Sequence, residues 1–280
     1  MNASEFKDIN YSVDASGVAT LMLNRPERKN ALSAVSFLEI FYAVEYFQSD
    51  DDAHVMIMTG AVDTGSSTPE KEAFSSGGYF SPDAMEGLSQ EILDDIDLND
   101  IAQKRTTMKF LRCDKPVLAA VNGLAIGGGF TLCLAAADQI YMSEHAWIQM
   151  PFAKLGIAAE LSSTFLLPRL LGFQKAKELL FFPERISAEQ AVELGIANKM
   201  LPHGELLEYT RGKALQLIPP AGPGLSIREM KRVVHAPHLT MFEQALDLEN
   251  EALNRLFRSD DFAEGLTARL ERREAVFKGR

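Results

Sequence analysis

The sequence is poor in the residues that mark disulfide-rich, zinc-binding or nucleic-acid-binding proteins. It has 2 cysteines in 280 residues, Cys113 and Cys133, in separate segments and without metal-type spacing. We expect both to be buried, reduced thiols. Positive charge is in deficit, because 28 Lys and Arg stand against 39 Asp and Glu and give a net charge of −11. A field of that sign repels polyphosphate, so we expect no nucleic-acid binding and no anionic-membrane binding.

Long apolar runs are also missing. No segment reaches the ~18 apolar residues of a membrane span, and the first ten residues, MNASEFKDIN, have no apolar signal-peptide core. None of the 5 histidines has a metal-type partner, and Pro237 interrupts the one helical spacing, between His235 and His238, so we expect no metal site. These absences favour a cytoplasmic, soluble protein, and 46% hydrophobic residues are enough for a real core.

The first part of the chain alternates between strand and helix patterns. Apolar strands are predicted at Gly17–Asn24 and His54–Gly60, on either side of a helix that begins at Ser33 and ends near Phe47. A peripheral, charged helical segment is predicted from Asp83 to Phe110. Lys115–Gly123 predicts a buried strand, and the helix that follows has no polar face and should be buried too.

From Glu160 onward the pattern is almost entirely helical. Ser187–Gly195 has Ser at the N-cap, Gln190 three residues later and Gly at its end, which is typical of a capped helix. A short strand at 197–201 and three amphipathic helices up to Lys278 are predicted to follow. The order of elements predicts an α/β protein with a helical tail.

Two glycine turns and one acid carry the functional prediction. FSSGGYF (residues 74–80) ends the loop predicted at 61–78, and NGLAIGGGF (residues 122–130) joins a strand to the buried helix. Glycine permits positive φ and a close approach of the backbone to a ligand, and a helix start leaves unpaired N–H groups. Taken singly, the first motif also fits an ordinary turn and the second also fits tight helix–strand packing.

Glu160 lies alone in the apolar stretch KLGIAAELSSTFLLPRLLG (residues 154–172). It is either the exposed corner of a helix start or a base held in an apolar cleft. Glu160 and the two glycine turns together predict a more specific chemistry. Two backbone N–H groups can hold a thioester oxygen as it gains negative charge, and a buried carboxylate is a competent base because burial raises its pKa.

These motifs, with AADQIYMSEHAWIQMPFAKLGI and the C-terminal SDDFAEGLTARLERREAVFKGR, resemble the crotonase, or enoyl-CoA hydratase/isomerase, superfamily in matching order from about Gly17 to Phe277. The resemblance implies a spiral of strand–strand–helix units at 1–200 and a helical trimerisation region at 201–280. It implies a homotrimer or a dimer of trimers that acts on a coenzyme A thioester without a separate cofactor. It places the oxyanion-hole N–H groups on Gly78 and Gly128.

The resemblance also discriminates between reactions. At the two positions where hydratases of this superfamily have Glu, this chain has Thr131 and Phe152, neither of which acts as an acid or base toward water at neutral pH. LGIAAELSST is most similar to the Δ3,Δ2-enoyl-CoA isomerases, with Glu160 as the single base, although Ala159 and Leu161 replace the Pro and Gly of that pattern. A ring isomerase acting on oxepin or epoxyphenylacetyl thioesters, another enolate-forming crotonase and a non-catalytic binding protein remain as alternatives.

A basic loop predicts where the coenzyme lies. NRPERKNALS brings a local positive patch into an acidic protein, and in the superfamily this loop binds the nucleotide end, with Arg25 and Lys29 at the matching positions. The resemblance places Ser76 against the adenine. It also places Phe277 and Lys278 where the terminal Phe-Lys reaches the coenzyme of a neighbouring subunit.

Overall fold

A computed structural model describes residues 1–63, 65, 68–79, 85 and 88–280. The strands in these residues are β1 (Ile9–Val13), β2 (Val18–Leu23), β3 (Val55–Gly60), β4 (Ala73–Ser75), β5 (Val117–Val121), β6 (Leu124–Ile126), β7 (Gln139–Ser143), β8 (Trp147–Gln149), β9 (Ile186–Ser187) and β10 (Lys199–Leu201). The helices are α1 (Ala34–Ser49), α2 (Gln90–Asp95), α3 (Lys104–Arg112), α4 (Gly128–Ala136), α5 (Ser163–Leu171), α6 (Phe173–Phe181), α7 (Ala188–Glu193), α8 (Leu206–Leu215), α9 (Gly224–His235), α10 (Leu239–Leu256) and α11 (Asp260–Glu271).

The strands form two sheets that the chain visits in turn. The larger sheet has the order β1-β2-β3-β5-β7-β10 and the smaller one the order β4-β6-β8-β9. From β3 to β8, consecutive strands alternate between the sheets, and helices follow each pair of strands. Within each sheet these strands run parallel, as β3 with β5 and β4 with β6. This succession of ββα units confirms the predicted α/β crotonase spiral.

The core lies between the sheets and the helices that cover them. Its main cluster includes Phe47, Phe74, Phe110 and Phe130, all at most 1% exposed. Cys113 and Cys133 are buried and unpaired, as predicted. The predicted buried helix is α4, whose residues are nearly all inaccessible. Within the described residues, no helix combines the length and apolar character needed to cross a bilayer.

Two helix starts were predicted correctly, those of α1 and α7. The Ser33 hydroxyl caps α1 by accepting the N–H of Ser36. Ser187 and Gln190 form a capping box at the start of α7. These side chains satisfy N–H groups that the first helical turn leaves without partners.

The single helical segment predicted from Asp83 to Phe110 was wrong. Residues 83, 84, 86 and 87 lie outside the described residues, as do 64, 66 and 67 of the predicted loop at 61–78. The rest divides into α2 and α3, with non-helical chain between them. Asp100 explains the division, because its carboxylate accepts the backbone N–H groups of Lys104 and Arg105 and begins a new helix. Side-chain bonds of this kind compete with a continuous helix.

The tail contains four helices, α8 to α11, rather than the predicted three, and the last helix ends at Glu271 instead of continuing to Lys278. Pro237 lies in a short 3-10 turn between α9 and α10. After α11 the chain folds back, because the Asp261 carboxylate accepts the N–H groups of Lys278 and Gly279. α8 packs on β3, β5 and β7 of the larger sheet, and the division into regions at residue 200 stays a prediction.

Candidate active site

Strand register brings the two glycine turns together. β4 pairs with β6 in parallel, so that Ala73 lies opposite Leu124 and both strands end at the same edge of the smaller sheet. Gly77 and Gly78 follow β4, and Gly127 and Gly128 follow β6. Gly77 has a φ of +87°, and a β-carbon on it would lie 3.5 Å from the backbone nitrogen of Gly128. The two turns are therefore in direct contact.

Both candidate oxyanion donors have unpaired N–H groups. Leu32 donates its N–H to the Gly77 carbonyl, and Tyr79 donates to the Leu32 carbonyl, each at 2.8 Å. This parallel bridge leaves the Gly78 N–H outside the ladder. Gly128 is the first residue of α4, where an N–H has no partner within the helix. Among the described residues, neither N–H donates to any acceptor.

Glu160 faces the same point as these amides. Its Oε1 atom lies 2.7 Å from the position that a β-carbon on Gly128 would occupy, and the Gly78 nitrogen lies 3.9 Å from that position. The three groups line one cavity of about 150 Å³. The apolar part of its wall consists of Leu32, Ala34, Phe37, Ile101, Ile126, Phe152, Leu155, Ile157, Leu253 and Phe257. Glu160 is thus an acid in an apolar cleft and not an exposed helix corner.

The environment makes Glu160 a stronger base than an ordinary carboxylate. Burial and, to a smaller extent, the nearby Glu249 carboxylate raise the pKa of Glu160 to about 8. Both effects disfavour the charged form, burial by removing water and Glu249 by repulsion of like charge. A carboxylate with a raised pKa takes up a proton more readily, which is what removal of a proton next to a carbonyl requires.

Glu249 is a buried acid that the sequence analysis missed. It lies on α10 and is 2% exposed. Its carboxylate accepts the N–H groups of Ser162 and Thr164 at 2.8 and 3.0 Å, and the Thr164 hydroxyl at 2.6 Å. Burial raises the pKa of Glu249 to about 7, and these hydrogen bonds oppose the shift. In the sequence it occupies an ordinary position in a charged amphipathic helix, 87 residues from Ser162, and no local pattern distinguishes it.

The family model described as enoyl-CoA hydratase/isomerase matches residues 14–280. The chain belongs to that family. The family acts on acyl-CoA substrates, and the chain is a crotonase-family acyl-CoA enzyme.

The relatives cover nearly the whole chain. A crotonyl-CoA hydratase from Syntrophomonas wolfei is 32% identical over 93% of this chain and 94% of its own length. A carnitinyl-CoA dehydratase from Salmonella typhimurium is 33% identical over 94% of this chain and 95% of its own. A crystal structure of an enoyl-CoA hydratase/isomerase from Pseudoalteromonas atlantica superposes with a TM-score of 0.81 at 25% identity, covering 97% of this chain and 100% of that one.

The two positions where a family hydratase is expected to carry Glu have no acid here. Thr131 is fully buried on α4, and its hydroxyl donates to the Gly127 carbonyl at 3.2 Å. Phe152 is buried and forms part of the cavity wall. Glu160 is therefore the acid that lines this cavity among the described residues.

The basic loop lies at the cavity edge, but the two residues predicted to bind the coenzyme, Arg25 and Lys29, differ in their surroundings. Arg25 donates to the Ala31 carbonyl at 3.0 Å, and its guanidinium lies 3.5 Å from the Asp8 carboxylate and over the Tyr79 ring. Lys29 is exposed, and its carbonyl accepts the N–H of Ser76, which lines the cavity. The structure thus brings Lys29 and Ser76 together, while Arg25 is held by other protein groups. Their roles in coenzyme binding stay predictions.

The C-terminal residues lie beside the cavity of their own chain. Phe277 is 43% exposed and lines a second cavity that shares Leu155 and Arg269 with the first. Lys278 donates its backbone N–H to Asp261 at 2.6 Å. Their predicted contact with the coenzyme of a neighbouring subunit stays a prediction.

Proposed function

We propose that the protein is an enoyl-CoA isomerase that converts a 3-enoyl-CoA thioester into the 2-enoyl-CoA thioester with Glu160 as its single base. The observation that carries the proposal is the convergence of the Glu160 carboxylate with the Gly78 and Gly128 N–H groups on one apolar cavity. The substrate carbonyl would lie between the two amides, and the carbon next to it would face the carboxylate.

The reaction needs one base and no other reagent. Glu160 takes the proton from C2, the electron pair of that C–H bond forms the C1–C2 double bond of a dienolate, and the thioester oxygen becomes negative. The N–H groups of Gly78 and Gly128 hold that oxygen, and one such donor is typically worth about 10²–10³ in rate. Glu160 then gives the proton back at C4, and the double bond moves to C2–C3. Atoms and charge are unchanged overall, which is why one carboxylate suffices.

Hydration is the second candidate, because the relatives include a crotonyl-CoA hydratase and a carnitinyl-CoA dehydratase. Addition of water requires a group that activates the water and a group that protonates the adjacent carbon. Thr131 and Phe152 supply neither, and the buried Phe152 ring excludes water from that side of the cavity. A ring isomerisation of an oxepin or epoxide thioester would use the same base and amides, and the substrate panel below includes it.

The deciding experiment compares substrates and variants in one assay. The wild-type protein and Glu160→Gln are given 3-hexenoyl-CoA, crotonyl-CoA with water, and an oxepin thioester, and turnover is followed by the absorbance of the conjugated thioester. We expect isomerisation of 3-hexenoyl-CoA to be the fastest reaction and to fall at least ~100-fold in Glu160→Gln, because the proton acceptor is lost. Binding of a saturated acyl-CoA, measured by calorimetry, should persist.

Glu251→Gln is the matched control, since Glu251 is an exposed acid on α10. It should retain wild-type turnover. Undiminished isomerisation by Glu160→Gln would remove the assignment of the base. Hydration of crotonyl-CoA faster than isomerisation would favour the second candidate, and failure to bind any acyl-CoA would favour a binding protein without this activity.

We also infer that the chain assembles with copies of itself as a homotrimer or a dimer of trimers. The observation in support is an apolar face on α9, where Met230, Val233 and Val234 are each more than half exposed. Exposed apolar patches of this kind are typical of subunit interfaces.

A further inference from the structure

We propose that Glu249 is a positioning residue that fixes the loop bearing Glu160 through the residues that follow the base. This inference rests on the proposed function, since its catalytic consequence requires Glu160 to be the base. Glu249 does not line the cavity, so its effect on the reaction is exerted through the chain from Glu160 to Thr164.

Hydrogen bonds join the Glu249 carboxylate to residues that follow Glu160 in the sequence. One carboxylate oxygen accepts the Ser162 N–H at 2.8 Å, and the other accepts both the Thr164 N–H at 3.0 Å and the Thr164 hydroxyl at 2.6 Å. These groups belong to the start of α5, where N–H groups have no partner within the helix and a negative charge is stabilised by the helix dipole. A side chain from α10 thus supplies the cap that Ser162, the residue before α5, does not provide with its own side chain.

The segment that Glu249 binds has an unusual backbone. Leu161 and Ser162 have φ values of 53° and 61°, in the left-handed region that residues with a β-carbon rarely adopt. Such a backbone conformation is strained and persists only where its surroundings fix it. Both residues are inaccessible to solvent. The carboxylate of Glu249, together with the burial of Leu161, holds this bend and with it the direction in which Glu160 points.

The charges around the base support this assignment. Glu160 and Arg269 are the charged side chains among the described residues that line the cavity, and Glu249 on α10 binds the chain two residues beyond Glu160. The Glu160 carboxylate accepts no hydrogen bond from a described residue. Its direction therefore depends on the backbone that carries it. Glu249 is also the charged group that adds to burial in raising the pKa of Glu160.

The test separates a positioning role from a merely structural one. In Glu249→Gln, an NH2 group replaces one of the two carboxylate oxygens. Because NH2 is a donor, either the Ser162 N–H or the N–H and hydroxyl of Thr164 lose their acceptor. We expect kcat for 3-hexenoyl-CoA to fall about 10- to 100-fold, as expected for a base displaced by about 1 Å, with KM within twofold. Thr164→Val, which removes only the hydroxyl donor, should show a smaller fall in kcat, and Thr164→Ser should restore it. Glu251→Gln on the same helix serves as the control.

A second measurement does not depend on activity. Amide hydrogen exchange of the 157–165 segment, measured by mass spectrometry on the full chain, should be faster in Glu249→Gln than in wild type and Glu251→Gln, with α4 and α1 unchanged. Faster exchange in a protein that isomerises no thioester would refute the proposed function and leave the positioning role intact. Unchanged exchange together with unchanged kcat would overturn the positioning role. If Glu249→Gln does not fold, Thr164→Val and Thr164→Ser carry the same comparison.

Discussion

Gly265 of α11 lies directly against the main chain of Leu155, which lines the candidate active-site cavity. A β-carbon on Gly265 would come within 2.8 Å of the Leu155 carbonyl carbon and oxygen. One residue further along the loop, Gly156 has a φ of +68°, and a β-carbon there would lie 3.0 Å from the Asp261 carbonyl. Helix α11 and the loop that leads to Glu160 therefore pack backbone against backbone, and glycines permit that approach.

Substitution of Gly265 by Ala should destabilise the protein. The added methyl group meets backbone atoms that no rotamer change can move, so α11 must shift, and overpacking of this kind typically costs about 1–3 kcal/mol. Urea denaturation should show a lower free energy of unfolding. Gly212→Ala in α8 is the control, because a β-carbon there meets nothing within 4 Å and should raise stability by about 0.5–1 kcal/mol. Equal midpoints for the two variants would contradict the close packing.

Gly128→Ala should impair the reaction more than it impairs folding. The new β-carbon would lie 2.7 Å from Oε1 of Glu160, which is the mobile end of a side chain and can rotate away. We expect the carboxylate to be displaced and turnover to fall about 100-fold, with a thermal midpoint close to that of wild type. Gly212→Ala should keep full turnover. Wild-type kcat in Gly128→Ala would mean that the carboxylate does not act from the observed position.

The raised pKa of Glu160 should appear as a pH dependence of stability. In the folded state its pKa is about 8, against an ordinary value of 4.5. Between these values the folded protein keeps a proton that the unfolded chain has lost, so this group's stabilising contribution is fully present below about pH 4.5 and disappears as the pH rises towards 8. The slope is at most about 1.4 kcal/mol per pH unit for one proton.

Glu160→Gln removes that titration, and it should therefore gain stability relative to wild type as the pH rises from 5 to 8 and gain no more beyond that range. The free energy of unfolding in urea, measured at each pH, provides the comparison. Glu251→Gln should run parallel to wild type across the range. A Glu160→Gln curve parallel to that of wild type would show that the carboxyl is not buried in solution as it is in the structure.

Local chemistry explains which parts of the fold the sequence predicted. Ser33 and Ser187 start helices through bonds to residues three positions away, and such signals can be found within a few letters of sequence. Strands β2 and β3 coincide with apolar runs of sequence whose residues are mostly buried. The apolar composition of these runs is therefore enough to predict both strands. Glu160 could be selected as a candidate base because it is the one acid in a long apolar stretch. The resemblance to a known family then predicted that the Gly78 and Gly128 N–H groups act with it.

What the sequence did not predict depends on contacts between distant segments. The break before α3 comes from Asp100, which also accepts a hydrogen bond from the side chain of Asn250. Glu249 reaches the residues that follow Glu160 only because α10 folds against the start of α5. Arg269 reaches the cavity wall from α11. A window of neighbouring residues contains none of this information, because the interacting residue in each case is distant in the sequence.

The pairing of β4 with β6 has a consequence for how this scaffold can change its chemistry. The amides of Gly78 and Gly128 are main-chain groups set by strand register, so exchange of the wall side chains leaves these proposed oxyanion donors in place. Proton transfer, in contrast, depends on side chains at separate points. In this chain positions 131 and 152 hold Thr and Phe, and the proposed base is Glu160. Under the proposed function, single substitutions at these positions would place an acid on a different wall of the cavity, while the main-chain groups that polarise the thioester would stay unchanged.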